Sequence, residues 1–462
     1  MQNPSLVVVP YRYKATKLYS EIPITGVGDF TVGRLLNTAT RVNSNGNIEA
    51  VNANIPRLDY YTTGGVAGCP ALLVEPSADN VARQSAGLDV SGTWQRSNIS
   101  VTTGIISPDG NATAFEIVES SDVTAQTHEL AQGGFSVLSG TTYTFSVFVK
   151  SGVNNRNIRL VFGSTNFATS PIAFFSPASG TVVSFTGCTA DIENYGNGWF
   201  RCRITATATL NGTSFFGMYP ASGTNSAYIG NGSGSVQVWG AQVETGSVAT
   251  SYIPTTTGSV TRNADVISVS GAVSGLIGQS EGTIYAEVDI KQLPALNART
   301  FIDVGSSGNR VFLGFTSVAS NTLRLQIDAG VGGSACVDIR TVVANAGIIK
   351  VAVAYQSLNC ALYVNGVQAT SIQSNIAFSF TTALSALFLG STVSASAFLN
   401  DRIRAAALYT TRLDDADLMV LTSPTYYSNV RDMIWDTFVA RNSTFSELPG
   451  CLQTRHNELI TL

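Results

Sequence analysis

The sequence contains few charged side chains. Asp, Glu, Lys and Arg make up 12% of its 462 residues, against about a quarter in an average soluble protein. The formal net charge is −4, and no run of Lys and Arg is dense enough to neutralise a row of phosphates. The composition therefore argues against nucleic acid as a partner, and it suits surfaces that face other subunits or neutral sugars.

The residue types that build metal and hydrolytic sites are scarce. The chain has two histidines, and its six cysteines are far apart in sequence and include no CxxC pair. We therefore expect no zinc site, no cofactor and no serine-hydrolase triad, and we expect free thiols in a reducing cytoplasm. Asp303, Asn309 and Asp328 could supply oxygen ligands to calcium, but their spacing matches no compact calcium loop, and we assign no metal site.

Long hydrophobic runs are also missing. A membrane-spanning helix needs about 18 consecutive apolar residues, and the sequence has no such run. The first residues, MQNPSLVVVPYRYKATKLYS, lack the positive start and long apolar core of a signal peptide. We expect neither a cleaved export signal nor membrane insertion.

Glycine and alternating apolar residues are abundant instead. The chain has 43 glycines, and short Gly, Asn and Ser turns separate runs in which every second residue is apolar. Tyr143, Phe145 and Val147 alternate with polar residues, and residues 158–162 and 200–205 repeat the pattern. This period of two predicts an all-β fold of antiparallel sandwiches.

Changes in this pattern divide the chain. Residues 1–79 contain six prolines, and we predict an extended arm that gains order by lying on another surface. The alternating pattern then predicts two jelly-roll sandwiches, over residues 80–261 and 262–422.

The last segment, residues 423–462, has a different pattern. Val430, Ile434 and Phe438 recur every four residues, which predicts an amphipathic helix followed by an extended tail. The apolar stripe of that helix must pack on its own sandwich or on the same helix of another subunit.

The first sandwich region resembles a domain of bacteriophage proteins. From Val236 to Asp265 the sequence VQVWGAQVETGSVATSYIPTTTGSVTRNAD joins an alternating strand to a Thr-rich connector, and GNGWFRCRIT has a Gly-Trp-aromatic-Arg pattern. Both are similar to the carbohydrate-binding-module-like jelly rolls of tail fibre, tailspike and head-fibre proteins of tailed bacteriophages.

The second sandwich region resembles the concanavalin-A-like, laminin-G-like jelly roll. The resemblance rests on KVAVAYQSLNCALYVNGV, a strand, turn and strand, and on ALYTTRLDDADLMVLT, in which a strand runs into a short helix. Asp414 stands at the expected N-cap of that helix.

These resemblances imply a tailed-phage virion surface protein, assembled in the host cytoplasm and released by lysis. The expected function is non-enzymatic: the sandwiches display loops that bind host or environmental glycans, and the partners are other virion proteins and further copies of the same chain in a homo-oligomer. One alternative is a purely structural capsid-decorating, collar or fibre-base protein. A weaker alternative is a polysaccharide depolymerase.

Aromatic side chains in loops are the candidate glycan-binding residues, because the C–H face of a sugar stacks on an aromatic ring while polar groups bond its hydroxyls. Trp94, Arg96 and Asn98 form one candidate cluster, and Tyr195 and Tyr228 lie in or near Gly/Asn-rich loops. For Trp94 and Tyr195 the alternative is core packing, which we also expect for the other two strand tryptophans of this region.

One strand carries a possible catalytic pattern. Tyr285, Glu287, Asp289 and Lys291 share a face, and concanavalin-like glucanases have Glu-x-Asp-x-Glu on one strand. Here Lys291 replaces the second glutamate, so we expect a solvated outer face with a Glu/Lys pair and assign no catalytic residue.

Overall fold

The computed structural model describes residues 2–62, 65–306, 308–329, 335–369 and 376–424. The all-β fold with antiparallel sandwiches is confirmed. The helix predicted within residues 423–462 lies outside the described residues from position 425 onward.

Strands occupy most of the described chain. The first group, up to residue 80, is β1 (Leu6–Val8), β2 (Tyr13–Lys14), β3 (Lys17–Leu18), β4 (Phe30–Gly33), β5 (Ala39–Val42), β6 (Ile48–Val51), β7 (Leu58–Thr62), β8 (Gly65–Val74) and β9 (Ala78–Asn80). The second group is β10 (Gln95–Ser97), β11 (Ile99–Ile105), β12 (Ala114–Glu119), β13 (Gln126–Thr127), β14 (Glu129–Val137), β15 (Thr142–Ser151), β16 (Asn157–Phe162), β17 (Ile172–Ser176), β18 (Thr181–Thr186), β19 (Thr189–Asn194), β20 (Trp199–Thr207), β21 (Gly212–Ala221), β22 (Ala227–Tyr228) and β23 (Ser235–Thr245).

The third group completes the described chain. It is β24 (Val260–Arg262), β25 (Val266–Ser270), β26 (Glu281–Ile290), β27 (Arg299–Ser306), β28 (Asn309–Phe315), β29 (Thr322–Asp328), β30 (Ala335–Val342), β31 (Gly347–Gln356), β32 (Ala361–Val364), β33 (Val367–Gln368), β34 (Ala386–Leu389), β35 (Asp401–Tyr409) and the helix α1 (Asp415–Thr422). Short 3-10 turns lie at Val153–Asn155, Ser164–Asn166 and Ala272–Leu276.

The inserted sandwich is built from the second group of strands. Its two sheets have the orders β10-β14-β21-β16-β17-β18 and β11-β12-β23-β15-β20-β19. Alternate residues point inward, as Phe145, Val147, Cys202 and Ile204 do, and form one core. The residues between them, such as Thr144, point to the outer face.

The composite sandwich combines the first and third groups. One sheet has the order β33-β32-β31-β26-β35-β8-β7 with β1 also paired to β35, and the other has the order β2-β3-β4-β25-β34-β27-β28-β29-β30. Leu6 pairs with Leu408 and Leu72 with Ile403, so the first strands of the chain complete sheets whose other strands follow hundreds of residues later.

This arrangement differs from the arm that the sequence predicts over residues 1–79. Leu6, Phe30, Leu72 and Val74 are fully buried in the composite core, because short strands between the prolines give each apolar residue a partner strand from the third group. The inserted sandwich is thus an insertion into the composite one. The entering strand β9 and the leaving strand β24 pair with each other at its base.

Buried charges join the connector at residues 246–262 to the first group of strands. The Arg57 guanidinium donates to Glu75 at 2.6 Å and also binds Asp265, to which Arg34 donates at 2.7 Å. Arg262 lies 2.8 Å from the same Glu75 carboxylate. Each of these five side chains is at most 5% exposed, and we call them the Arg57 cluster.

The connector itself lies on the outer face of the inserted sandwich. Gln242 accepts a hydrogen bond from the Ile253 amide at 2.7 Å, Arg201 donates to the Thr250 carbonyl at 2.7 Å, and Glu244 accepts from the Thr250 amide at 3.0 Å. These three side chains are at most 2% exposed. The connector and the Arg57 cluster therefore hold the two sandwiches against each other. We call the connector, the Arg57 cluster and the side chains of Gln242, Arg201 and Glu244 the closed interface.

The helix α1 begins as the sequence predicts. Asp414 is its N-cap, and its carboxylate accepts a hydrogen bond from the Asp417 amide at 2.7 Å. Leu418 and Leu421 pack against the sheet that contains β26 and β35. Among the residues that the structure describes, no helix has the length and apolar character needed to cross a membrane.

Candidate functional site

Trp94 is a core residue in the structure. Its side chain is 2% exposed, its ring meets Phe216 edge-on with centroids 5.7 Å apart, and its indole nitrogen donates to the Gln84 carbonyl at 3.2 Å. A sugar needs an open ring face, so the expectation of an exposed Trp94 is wrong and the core alternative holds. Its large apolar area stabilises the fold when it is buried.

Arg96 and Asn98 are exposed, as a binding role requires. Arg96 donates to the Asp89 carbonyl at 2.6 Å, and the Asn98 amide donates to the Thr127 carbonyl at 2.9 Å. Both contacts fix turns at the edge strand β10. Without the Trp94 ring, the predicted cluster retains two exposed polar side chains and no stacking surface.

Tyr195 and Tyr228 are buried as well. Tyr195 is 9% exposed and stacks on Tyr61 of the composite sandwich with centroids 4.5 Å apart, so the ring that was expected in solvent lies between the sandwiches. Tyr228 is 7% exposed, donates to Glu119 at 2.8 Å and carries the Arg156 guanidinium over its ring. Neither tyrosine offers a face to a ligand.

The face of Tyr285, Glu287 and Asp289 is buried, and the expectation of a solvated face is wrong. Glu287 is 1% exposed and Asp289 2% exposed, and Glu287 forms an ion pair with Arg404 at 2.7 Å. The apolar cluster around Tyr285 includes Val7 of β1, a strand of the same sheet, and Leu418 and Leu421 of α1, which packs on this side of the sheet. Lys291 lies just beyond the strand and reaches the inserted sandwich instead.

The proposed calcium ligands surround an arginine. Arg310 lies 3.2 Å from Asp303 and 3.8 Å from Asp328, so a guanidinium already supplies positive charge between these carboxylates. The Asn309 side-chain oxygen accepts from the Thr381 amide at 2.7 Å. Burial raises the pKa of Asp303, and Arg310 opposes that shift.

Cysteines and possible metal ligands give no further site among the described residues. Cys188, Cys202, Cys336 and Cys360 are free thiols, as predicted for them, and Cys451 lies outside the described residues. Within the described part of the chain, no three His, Cys, Asp or Glu side chains are grouped to hold a metal ion.

An open groove runs between the two sandwiches. It consists of three adjoining cavities of about 940, 600 and 950 Å³, including the space open to solvent. The middle cavity shares Asp191, Arg203 and Lys291 with the first, and it shares Thr189 and Thr205 with the third. We call this continuous feature the interdomain groove.

The floor of the groove is the outer face of β19 and β20. Asp191 pairs with Arg203 across these strands, and Thr189 pairs with Thr205. Because Cys202 and Ile204 point into the core, the intervening side chains must point outward. Strand alternation therefore produces a floor of hydroxyl, carboxylate and guanidinium groups.

The opposite wall is the loop between β26 and β27 in the composite sandwich. Arg299 donates to the Gln292 carbonyl at 2.9 Å and to Asp401 at 3.0 Å, and Asp401 also accepts from the Lys291 amide at 3.1 Å. Pro294 is buried. These contacts hold the loop in place, so the wall is formed before any ligand arrives.

A chain of ion pairs crosses the groove. Asp191 lies 2.5 Å from Arg203, Arg203 lies 3.6 Å from Glu193, and Glu193 lies 2.9 Å from Lys291 of the facing wall. Burial opposes ionisation of Glu193, but Lys291 and Arg203 outweigh it and lower its pKa to about 2. Burial raises the pKa of Asp191, with Arg203 opposing.

One end of the groove has an aromatic wall. Phe200 is half-buried there, and the turn at Gly180 packs on its ring. A Cβ atom at Gly180, whose φ is +67°, would lie 2.5 Å from Phe200, so only glycine lets the turn approach this closely. The groove thus combines one aromatic ring with hydroxyl, amide and paired charged groups.

Part of this site could be found in the sequence. The alternation of Arg201, Arg203 and Thr205 with apolar residues predicts a polar face, but a polar sheet face is ordinarily solvated. Nothing local in the sequence brings Lys291 and Gln292 opposite that face, because they belong to the other sandwich.

Comparisons with known proteins support the fold of the composite sandwich. The model of the Concanavalin A-like lectin/glucanases superfamily matches residues 261–419, which include every strand of the third group from β25 to β35. The chain therefore contains a concanavalin-A-like domain, completed by strands from its first 74 residues. No curated protein matches the chain.

Several solved structures are similar over about a third of the chain. CBM40 of the Ruminococcus gnavus IT-sialidase is 16% identical with a TM-score of 0.28, over 33% of this chain and 88% of that one. The binding domain of Botulinum neurotoxin DC in complex with rat synaptotagmin II is 16% identical with a TM-score of 0.28, over 34% and 40%. The leech intramolecular trans-sialidase is 15% identical with a TM-score of 0.28, over 34% and 25%. The ligands in these names belong to those proteins.

Proposed function

We propose that this chain is a non-enzymatic binding protein that holds a glycan in the interdomain groove and is displayed on the surface of a tailed-bacteriophage particle. The observation that carries the proposal is the groove itself: a fixed cleft between two β-sandwiches, one of them concanavalin-A-like, lined by groups that hydrogen-bond hydroxyls. Small polar ligands bind in such concave sites when a few placed groups set their orientation.

The chemistry of the groove suits a sugar. A hydroxyl group both donates and accepts, and the groove presents donors on Arg203 and Lys291, acceptors on Asp191, and the Thr189 hydroxyl, which is able to do both. The Thr205 hydroxyl donates to Thr144 at 2.8 Å and offers a ligand an acceptor. Hydrogen bonds to charged groups are stronger than neutral ones. Phe200 adds an apolar surface at one end.

The non-enzymatic part of the proposal draws on the state of the candidate carboxylates. Glu287 is buried and ion-paired to Arg404, an arrangement that keeps this carboxylate away from substrate. A general acid has to hold a proton near neutral pH and reach the glycosidic oxygen.

The virion part of the proposal rests on the sequence resemblance of residues 80–261 to phage tail and head-fibre proteins. A particle that carries many copies would raise a weak single-site affinity through effective concentration. Assembly in the host cytoplasm agrees with the free thiols of Cys188, Cys202, Cys336 and Cys360. Mass spectrometry of purified particles tests this part, and absence of the chain from every structural band would overturn it.

The glycan-binding part is tested by titration calorimetry of the full chain against the hits of a glycan array. Arg203→Ala removes a groove donor, and we expect it to weaken binding by about tenfold or more. Arg96→Ala is the matched control, because Arg96 is an exposed arginine of the same sandwich that lies outside the groove. Equal thermal stability of the two variants would show that folding is unaffected.

The opposite result would support glycan binding at the predicted cluster of Trp94, Arg96 and Asn98. If Arg96→Ala weakens binding and Arg203→Ala does not, the groove is not the binding site. If no glycan binds at all, the protein is better described by the second candidate, a structural component of the particle. That candidate is favoured by the exposed edge strand β18, where Val183 and Phe185 are 43% and 58% exposed and could pair with another subunit.

A further inference from the structure

We propose that the ligand of the interdomain groove is an uncharged, hydroxyl-rich polysaccharide and that Asp191 excludes acidic glycans. This inference rests on the proposed function and names the ligand class of the same site. It is carried by the balance and the exposure of the charges in the groove.

The charges at the centre of the groove cancel. Arg203 and Lys291 contribute +2 and Asp191 and Glu193 contribute −2, so their sum is zero. The remaining charged group of the lining, Arg299, is paired with buried Asp401. A site built for sulfate, uronate or sialate would leave a cation for the anion to pair with, and here each cation already has a carboxylate partner.

Exposure decides which charge a ligand meets first. The Asp191 side chain is 52% exposed, while those of Arg203, Glu193 and Lys291 are 12%, 12% and 16% exposed. An anionic ligand would therefore approach a carboxylate, and like charges brought together cost binding free energy. It would also have to displace Glu193 from Lys291, which leaves a largely buried carboxylate with the more distant Arg203, at 3.6 Å, as its cation.

A neutral sugar meets no such cost. Its hydroxyls can accept from the outward N–H groups of Arg203 and donate to the free oxygen side of Asp191 without breaking the ion pair. The threonine hydroxyls at Thr189 and Thr205 extend the same pattern along β19 and β20. The continuity of the three cavities fits a linear segment of several sugars better than a single one.

The test compares neutral and acidic polymers with the full chain. Dextran and galactan serve as neutral probes, and hyaluronan and polysialic acid serve as acidic probes, in titrations at about 20 and about 300 mM NaCl. We expect a neutral probe to bind about tenfold or more tightly than the acidic ones at low salt, with less than about a twofold change at high salt.

A substitution separates charge from shape. Asp191→Asn keeps the size and a hydrogen-bonding oxygen but removes the repulsion, so the ratio of acidic-probe to neutral-probe affinity should rise about threefold to tenfold, while the loss of a charged acceptor weakens binding of the neutral probes themselves. Asp89→Asn, at an exposed aspartate outside the groove, should change neither. Acidic probes that bind the native chain as tightly as neutral ones, with affinity falling steeply in salt, would overturn the inference and leave the glycan-binding function standing. Failure of all probes and of the array would remove the function itself.

Discussion

The outer face of one sheet in the inserted sandwich serves two different purposes along its width. Toward β23 it carries Gln242 and Glu244, which are at most 1% exposed and fully engaged with the connector. Toward β19 it carries Thr189 and Asp191, which are exposed in the interdomain groove. Both halves carry polar and charged side chains, but the closed half also carries Phe148 and Trp239, which pack in one buried aromatic cluster with Tyr252 of the connector.

The difference lies in what covers each half. Residues 250–253 of the connector lie on the first half, and the Arg57 cluster lies behind them. Among the described residues, the Lys291 loop faces the second half; it contacts the sheet through the Lys291–Glu193 ion pair at 2.9 Å and leaves the cavity beside that contact open to ligand. The interface is therefore distinguished from the binding surface by the neighbouring segments together with the aromatic side chains, Phe148 and Trp239, on which the connector packs.

We expect the largest effect on stability from a substitution that disrupts the closed interface. Arg57→Ala removes the one guanidinium that joins Glu75 to Asp265 and leaves each buried carboxylate with a single cation, Arg262 and Arg34 respectively, and we expect a loss of about 3–5 kcal/mol in the free energy of unfolding. Glycan affinity should fall with it, because the groove depends on both sandwiches. Urea denaturation and calorimetric titration measure the two effects.

Arg41→Ala is the control for that variant. Arg41 pairs with Glu49, whose side chain is 37% exposed, and such pairs contribute about 1 kcal/mol or less. Equal losses in the two variants would mean that the Arg57 cluster does not hold the sandwiches together.

We expect the next largest effect on stability from lowering the pH. A carboxyl with a lower pKa in the folded state stabilises the fold above its unfolded pKa, and this contribution is lost as pH falls through the folded value. Glu193 has a folded pKa of about 2 because Lys291 and Arg203 outweigh its burial. We expect the urea midpoint to fall between about pH 4.5 and about pH 2, with Glu193 accounting for about 3 kcal/mol.

Glu193→Gln isolates this contribution. The variant cannot lose a proton, so the stability gap between it and the native chain should shrink as pH falls from about 4.5 to about 2. A constant gap over this range would show that the ion pairs across the groove do not stabilise the docked sandwiches.

The sequence predicts the two sandwiches and the polar outer face because both follow from local alternation. Trp199 and Trp239, placed in the core by their apolar neighbours, are each 3% exposed. Pairing between distant segments has no local signal. Leu6 and Leu408 pair across almost the whole chain. Apart from the ten-residue β8, the strands before residue 80 have two to five residues and look like an irregular arm until their partners are known.

The predicted glycan site fails for the same physical reason. Tyr195 lies in a Gly/Asn loop, where a ring is ordinarily exposed, but Tyr61 from the other sandwich stacks on it. Likewise the loop with Lys291 becomes a groove wall only through the docking of the sandwiches. Local sequence indicates which side chains point outward; whether they reach solvent depends on segments far away in the chain.

Two glutamines, one in the closed interface and one in the wall of the open groove, test whether the two regions differ in their contribution to stability. Gln242 bonds the connector at Ile253 and Ser251, so Gln242→Ala leaves buried polar groups without partners and should cost about 1–3 kcal/mol of unfolding free energy. Gln292 is exposed in the groove wall, and Gln292→Ala should stay within about 0.5 kcal/mol while weakening glycan binding. Similar stability losses would mean that the groove is as tightly closed as the interface.

The smallest expected effect concerns one hydroxyl on the groove floor. Thr189→Val preserves shape and removes a donor and acceptor that lies in the open half, so we expect a change in unfolding free energy within about 0.5 kcal/mol and glycan affinity lower by about two- to fivefold. Thr102→Val is the control, because Thr102 is exposed on β11 at the opposite edge of the same sheet. If both variants weaken binding equally, the hydroxyls act through the sheet as a whole; if Thr189→Val alone does, the ligand lies along β19, on the half of the face that the connector leaves uncovered.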